Sequence, residues 1–210
     1  MCTLYLVGYV VHISGVFMLK VAVIVGSTRE GRFGGTVAAW IERHLAKRDD
    51  MDADVVDLAA TPLPTVLPDF GKPPSDPDAL AQLAAVSPRL AVADAFVVVT
   101  PEYNRSFPAS LKNAIDWHNK EWHAKPVGFV SYGGFSAGTR AVEQLRQVFG
   151  ELHAVTIRDG VGFNGVWGAF DADGEVTDPN ADAAAKKMLD QLAWWADALR
   201  GARAASPYAA

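Results

Sequence analysis

Residues 20–32, KVAVIVGSTREGR, limit what this chain can fold into more than any other stretch. Val21, Ala22, Val23, Ile24 and Val25 form an uninterrupted apolar run of strand type, and Gly26 ends it. Ser27, Thr28, Arg29, Gly31 and Arg32 follow. A helical pattern then starts at once, with Val37, Trp40, Ile41 and Leu45 on one face and Glu42, Arg43, His44 and Lys47 largely opposite. A strand that turns through a Gly/Ser/Arg loop into a helix leaves backbone N–H groups free at the helix start, where the dipole favours an anion. One reading is a phosphate cradle, with hydroxyls and guanidinium groups adding charge-assisted hydrogen bonds. The other is an ordinary strand–helix turn in which Arg29 and Arg32 are solvated charges.

Two familiar phosphate loops are excluded by their chemistry. No Lys-Ser or Lys-Thr pair follows a glycine loop here, as GxxxxGK[ST] demands. Gly26-Ser27-Thr28 puts hydroxyl residues where close approach to a pyrophosphate requires glycine, so GxGxxG is absent as well. What remains suits a compact terminal phosphate such as the one FMN carries.

Along the rest of the chain, strands are expected at residues 53–58, 94–100, 125–131 and 154–157, the second of these (DAFVVVT) with the β-branched run of a strand buried on both faces. Helices are expected at 78–93, with Ser87-Pro88 as a break and fresh start, and at 108–118, 139–149 and 181–200. Residues 61–77 are a proline-rich surface loop, 160–180 a turn-rich excursion, and 201–210 a tail that should fray. Five strands alternating with helices predict an α/β fold, a doubly wound parallel sheet with helices on both faces. Ligands of such sheets sit off the carboxyl ends of the strands, where the loops after the first, third and fourth strands all emerge.

A chain of 210 residues with 50% hydrophobic content supports one such domain with a full core. Its net charge of −5 argues against a nucleic-acid backbone as partner. A lone Cys2 leaves no internal disulfide and no Cys-based metal site, and the expected location is cytoplasmic. The apolar residues 1–18 lack a basic start and a small-residue cleavage site and are short for a membrane span. The leading expectation is an N-terminal extension outside the domain, ahead of a short added strand, with a membrane anchor last.

GSTREGRFG, PEYNRSFPASLKNAIDW and KPVGFVSYGGFSAGTRAVEQLRQV together resemble the NADPH-dependent FMN reductase family, which includes quinone, azo-dye and chromate reductases. The resemblance covers residues 19–199 and implies a flavodoxin-like sheet of order 2-1-3-4-5 in a domain spanning 19–200. It implies FMN as cofactor and NADPH or NADH as hydride donor, a small-molecule acceptor such as a quinone, no membrane partner, and a homodimer or homotetramer. Ser27, Arg29, Arg32, Phe33 and Gly34 would wrap the phosphate. Arg32 and Gly34 stand where family members often show a hydroxyl residue and an asparagine. Pro101, Glu102, Tyr103 and Asn104 would lie along the isoalloxazine ring and offer backbone N–H groups, while Ser131, Tyr132, Gly133 and Gly134 flank its pyrimidine side.

A flat, half-polar ring wants aromatic walls and a few fixed donors, and Tyr103, Tyr132 and the two glycines suit those needs. Hydride transfer to and from such a ring asks for alignment rather than proton transfer, so no catalytic acid or base is nominated. Glu102 is expected to serve through its backbone, with its carboxylate in an intersubunit ion pair. His118 and His123, five apart with no carboxylate cluster, are read as structural or interface residues rather than as a metal site or a catalytic dyad. The contrasting function is a non-enzymatic FMN carrier or redox sensor. Arg29, Arg32, Arg105 and Arg140 tilt the reading towards an enzyme, because they offer charge for a nicotinamide cofactor's phosphates.

Overall fold

In the computed structural model, which describes residues 18–69 and 71–209, the first strand β1 (Leu19–Val25) lies between β2 (Met51–Asp57) and β3 (Ala95–Pro101), parallel to both. Strand β4 (Pro126–Gly133) adds beyond β3 and the two-residue β5 (Val155–Thr156) beyond β4, giving the order β2-β1-β3-β4-β5. The flavodoxin-like sheet expected from the sequence is therefore present.

Every central strand is covered on both faces, and the period of two along β1 shows how. Val21, Val23 and Val25 face the layer made by α1 (Gly34–Ala46) and α5 (Pro179–Ala205), whose Val37, Trp40, Ile41, Met188 and Leu192 are buried against them. Ala22 and Ile24 face the opposite layer, built from α2 (Pro77–Val92), α3 (Ala109–Asp116) and α4 (Thr139–Glu151) through Val86, Leu90, Ile115, Leu145 and Phe149. Each large side chain so buried contributes about 1.5–3 kcal/mol of hydrophobic stabilisation. Among the described residues no helix is long and apolar enough to cross a membrane.

Three features differ from the expectations. The excursion after β5 holds a sixth strand, β6 (Val161–Asn164), which pairs in parallel with the upper half of β4 while β5 pairs with the lower half. Helix α2 passes through Pro88 without a break. Pro88 and Ala84 are both exposed, so the carbonyl that loses its helical bond faces water, while Val86 and Leu90 hold the two halves to the sheet. Helix α5 runs beyond residue 200 to Ala205 because Arg203 donates to the Ala124 carbonyl, and Tyr208 lies with its hydroxyl 3.0 Å from His153 Nδ1. The expected extension, residues 1–18, falls outside the described residues except for Met18.

Candidate cofactor-binding site

Strands β1, β3 and β4 are neighbours, so the loops leaving their carboxyl ends stand side by side, and hydrogen bonds fasten them together. Gly26 N donates to the Val99 carbonyl at 2.9 Å and Glu102 N to the Tyr132 carbonyl at 3.0 Å. Ser27 Oγ and Tyr103 Oη lie 2.7 Å apart. The loops border a trough of about 210 Å³. Arg29, Arg32, Phe33, Pro101, Glu102, Tyr103, Tyr132, Gly133 and Gly134 line it. Ser27, Gly34, Asn104 and Ser131 are near but serve otherwise.

In the first loop the two arginines divide the work. Arg32 clasps Asp57 with two hydrogen bonds of 2.7 and 2.6 Å and donates to the Ser27 carbonyl at 2.8 Å. The Arg32 hydrogen bond holds the Asp57 carboxyl below the usual carboxylate range. Arg32 thus braces the loop from β2, a task the sequence reading did not assign to it. Arg29 is exposed, with its guanidinium 5.6 Å from the centre of the Tyr103 ring. Helices α2, α4 and α5 each begin under a carboxylate, from Asp76, Glu102 and Asp178 respectively. Helix α1 has Phe33 at its N-cap with no side-chain cap and no acidic residue in its first turn. Its opening N–H groups are therefore left for an external anion.

The second loop is a two-residue hairpin. Tyr103 and Ser106 exchange backbone hydrogen bonds of 2.8 and 2.9 Å around Asn104 and Arg105, both at positive φ (50° and 69°). Asn104 is exposed at its tip and does not line the trough. The N–H groups of Glu102 and Tyr103, expected to serve a ring, are spent on Tyr132 and Ser106, and Pro101 has none. The Glu102 carboxylate pairs with Arg140 of the same chain at 2.9 Å and accepts from Ser136 Oγ and, at 3.1 Å, from Arg140 N. Burial would raise this carboxyl, but the bonds from Ser136 and Arg140 bring it below its ordinary value. The expected intersubunit ion pair is thus an intrachain cap on α4, because the β3 and β4 loops are adjacent.

In the third loop Ser131 is buried and donates through Oγ to the Ala137 carbonyl at 2.8 Å, which closes the turn instead of facing the trough. Gly138 ends that turn at φ +83°, and a Cβ there would come within 2.6 Å of the Ser131 side chain. Tyr132, expected as a wall, is sunk in the core at 4% exposure. Its hydroxyl is buried near Ser27 without a formed hydrogen bond among the described residues, and burial pushes the phenol well above its usual range, with Ser27 opposing the shift only in part. A Cβ on Gly34 would sit 3.0 Å from that hydroxyl, so the glycine lets the first loop close over Tyr132.

Trp167, assigned to a turn from sequence, lines the trough together with Val166 and Gly31. It sits on a 3-10 turn (Val166–Gly168) that Gly165 N ties to the Gly134 carbonyl at 2.9 Å. The buried–exposed alternation of Val161, Gly162, Phe163 and Asn164 was the available signal for this segment, and its glycine and asparagine masked it. His118 lies apart from the trough. Its Nδ1 donates to the Ala114 carbonyl at 2.7 Å, which leaves Nε2 to accept from Ser87 Oγ at 2.9 Å.

Residues 19–168 match the family described as NADPH-dependent FMN reductase. An NAD(P)H-dependent FMN reductase of Schizosaccharomyces pombe is 40% identical over 135 residues, 63% of this chain and 66% of that one. A probable NADPH:quinone oxidoreductase of rice is 32% identical over 201 residues, 91% of this chain and 96% of its own length. Among solved structures, a flavoenzyme NAD(P)H:(acceptor) oxidoreductase of Paracoccus denitrificans superposes with a TM-score of 0.69 at 25% identity, covering 86% of this chain and 98% of that one.

Proposed function

Since the chain belongs to the NADPH-dependent FMN reductase family, we propose that it works as an FMN-dependent NAD(P)H oxidoreductase with the flavin in the trough between its three loops. The observation that carries this placement is the uncapped N-terminus of α1 beside the exposed Arg29, at the end of the trough that the three loops border. These residues fit FMN: an anion site for its phosphate, and beside it a polar–apolar slot for its ring.

When bound, FMN supplies the redox centre that takes a hydride from NAD(P)H and passes it to a small acceptor such as a quinone. The first turn of α1 and Arg29 hold the phosphate, and Gly31 leaves the backbone uncovered there. Arg32 keeps the loop in shape through Asp57. Pro101 and Tyr103 form the floor and one wall, with Tyr103 fixed by Ser27. With the N–H groups of Glu102 and Tyr103 already used, Gly133 and Gly134 are the lining residues whose backbone would serve the polar edge of the ring. Fixed groups that need no rearrangement during reaction align the reactants, and no side-chain acid or base takes part. A homodimer or homotetramer belongs to the same reading, supported by the exposed Val66 and Leu67 of the proline-rich loop.

The test is to purify the protein, record its flavin spectrum and add NADPH without oxygen. Rapid bleaching is the expected result. Colour that persists indicates an electron carrier or sensor, and a protein that cannot take up FMN defeats the placement.

A further inference from the structure

We propose, resting on the cofactor placement above, that Trp167 determines acceptor specificity by stacking its open indole face on flat, conjugated acceptors of quinone type. Four aromatic side chains line the trough, and three are already committed. Phe33 packs against the core, and Tyr132 is 4% exposed within it. Tyr103 has its hydroxyl on Ser27 and the Arg29 guanidinium 5.6 Å from its ring centre. Trp167 alone among them keeps a large open surface, at 71% exposure.

That exposure is built into the backbone. Gly165 enters the turn at φ +57°, its N–H bonds to the Gly134 carbonyl at 2.9 Å, and Gly168 N closes the turn on the Gly165 carbonyl at 2.9 Å. Val166 anchors the turn in the core, and Thr177 N donates to the Ala169 carbonyl at 2.9 Å just beyond it. The edge of the indole lies 3.5–3.6 Å from where a Gly134 Cβ would stand, so the ring abuts the third loop directly. An aromatic surface held on a braced turn loses little freedom when a planar ligand covers it, and it rewards planar π-systems over compact ions. The acceptor must enter and leave at every turnover while the cofactor stays bound, so its wall must stay open to solvent, as this indole does.

The experiment compares wild type, Trp167→Ala and Trp167→Phe, each loaded with FMN. Equilibrium binding of a naphthoquinone to the oxidised protein, without NAD(P)H, is read from the flavin absorption. Steady-state kcat/KM is measured with the naphthoquinone and with ferricyanide, a compact ion with no face to stack. The alanine variant is expected to bind naphthoquinone about tenfold more weakly and to lose about tenfold in the naphthoquinone-to-ferricyanide ratio, with the phenylalanine variant within about threefold of wild type. Equal naphthoquinone affinity in alanine variant and wild type, with FMN bound in both, overturns the role of Trp167 and leaves the cofactor placement standing. Failure of wild type itself to take up FMN overturns the placement, and this inference with it.

Discussion

The hydroxyls of Ser27 and Tyr103 meet at 2.7 Å across 76 residues of sequence, joining the loop after β1 to the loop after β3. Ser27 is fully buried, so its hydroxyl depends on that partner. Tyr103→Phe keeps the ring and orphans the serine. The variant should lose about 1–3 kcal/mol of stability in urea unfolding and release FMN more readily. Unchanged stability would mean that the contact merely accompanies the packing of the loops.

The two arginines of the first loop should separate cleanly. Arg29→Ala should leave stability nearly unaltered and weaken FMN binding tenfold or more, since a charge-assisted contact contributes about 1.5–3 kcal/mol. An FMN titration showing equal affinity would show that the phosphate sits elsewhere.

Arg32→Ala should instead lower stability by about 1 kcal/mol at neutral pH, because Asp57 loses a two-pronged partner. The folded Asp57 carboxyl lies below its ordinary value of 3.8, so the pair stabilises the fold above that pH and its contribution disappears as pH falls through the folded value. Melting temperatures of wild type and variant should therefore converge in acid. A gap that is independent of pH would rule out the ion pair as the cause.

Glu102→Gln should speed amide hydrogen exchange at Arg140, whose N–H now donates to the carboxylate at 3.1 Å. The start of α4 loses a full negative charge near its dipole, about 1 kcal/mol in stability. Exchange at wild-type rates would place the cap elsewhere.

Lys125 is buried beneath the sheet's other edge, with Nζ donating to the Leu90 and Ala91 carbonyls at 3.2 and 2.9 Å. Burial, with Arg203 nearby, lowers its ammonium from 10.5 to about 8. Between those values the unfolded chain binds more protons than the folded one, so this lysine makes stability rise with pH. Melting curves from pH 7 to 10 should show wild type gaining on Lys125→Met as pH increases. A gap that narrows in the other direction would contradict the burial argument.

His118→Ala should cost about 2 kcal/mol, since a buried ring and its bonds to Ser87 and Ala114 are lost. Anaerobic reduction of bound FMN by NADPH should nevertheless stay within about threefold of wild type. Loss of a general acid or base would cost about a hundredfold or more, and a drop of that size would establish acid–base catalysis that the trough does not call for.

Much of this architecture was legible because it rests on local periodicity. Uninterrupted apolar runs marked β1 and β3, amphipathic stripes marked α1 and α4, and the loop motifs fell at carboxyl ends where the winding of the sheet brings them together. Sequence could not show what each loop residue spends its groups on. Arg32 looked like a phosphate ligand until Asp57, 25 residues away, was seen to hold it, and Glu102 looked free for a partner subunit until Arg140 came within 2.9 Å. Trp167 lay in a segment whose glycines concealed a strand, so its place in the trough emerged only when β6 paired with β4.

By itself, then, the order of residues marked the five main strands, the helices and the three loops, since helical hydrogen bonding and the periodicity of burial are local. Which side chains remain available to a ligand was decided by the tertiary structure alone. A hydrogen-bonding group is free only if nothing brought beside it by folding has claimed it, and those claimants lie tens of residues away.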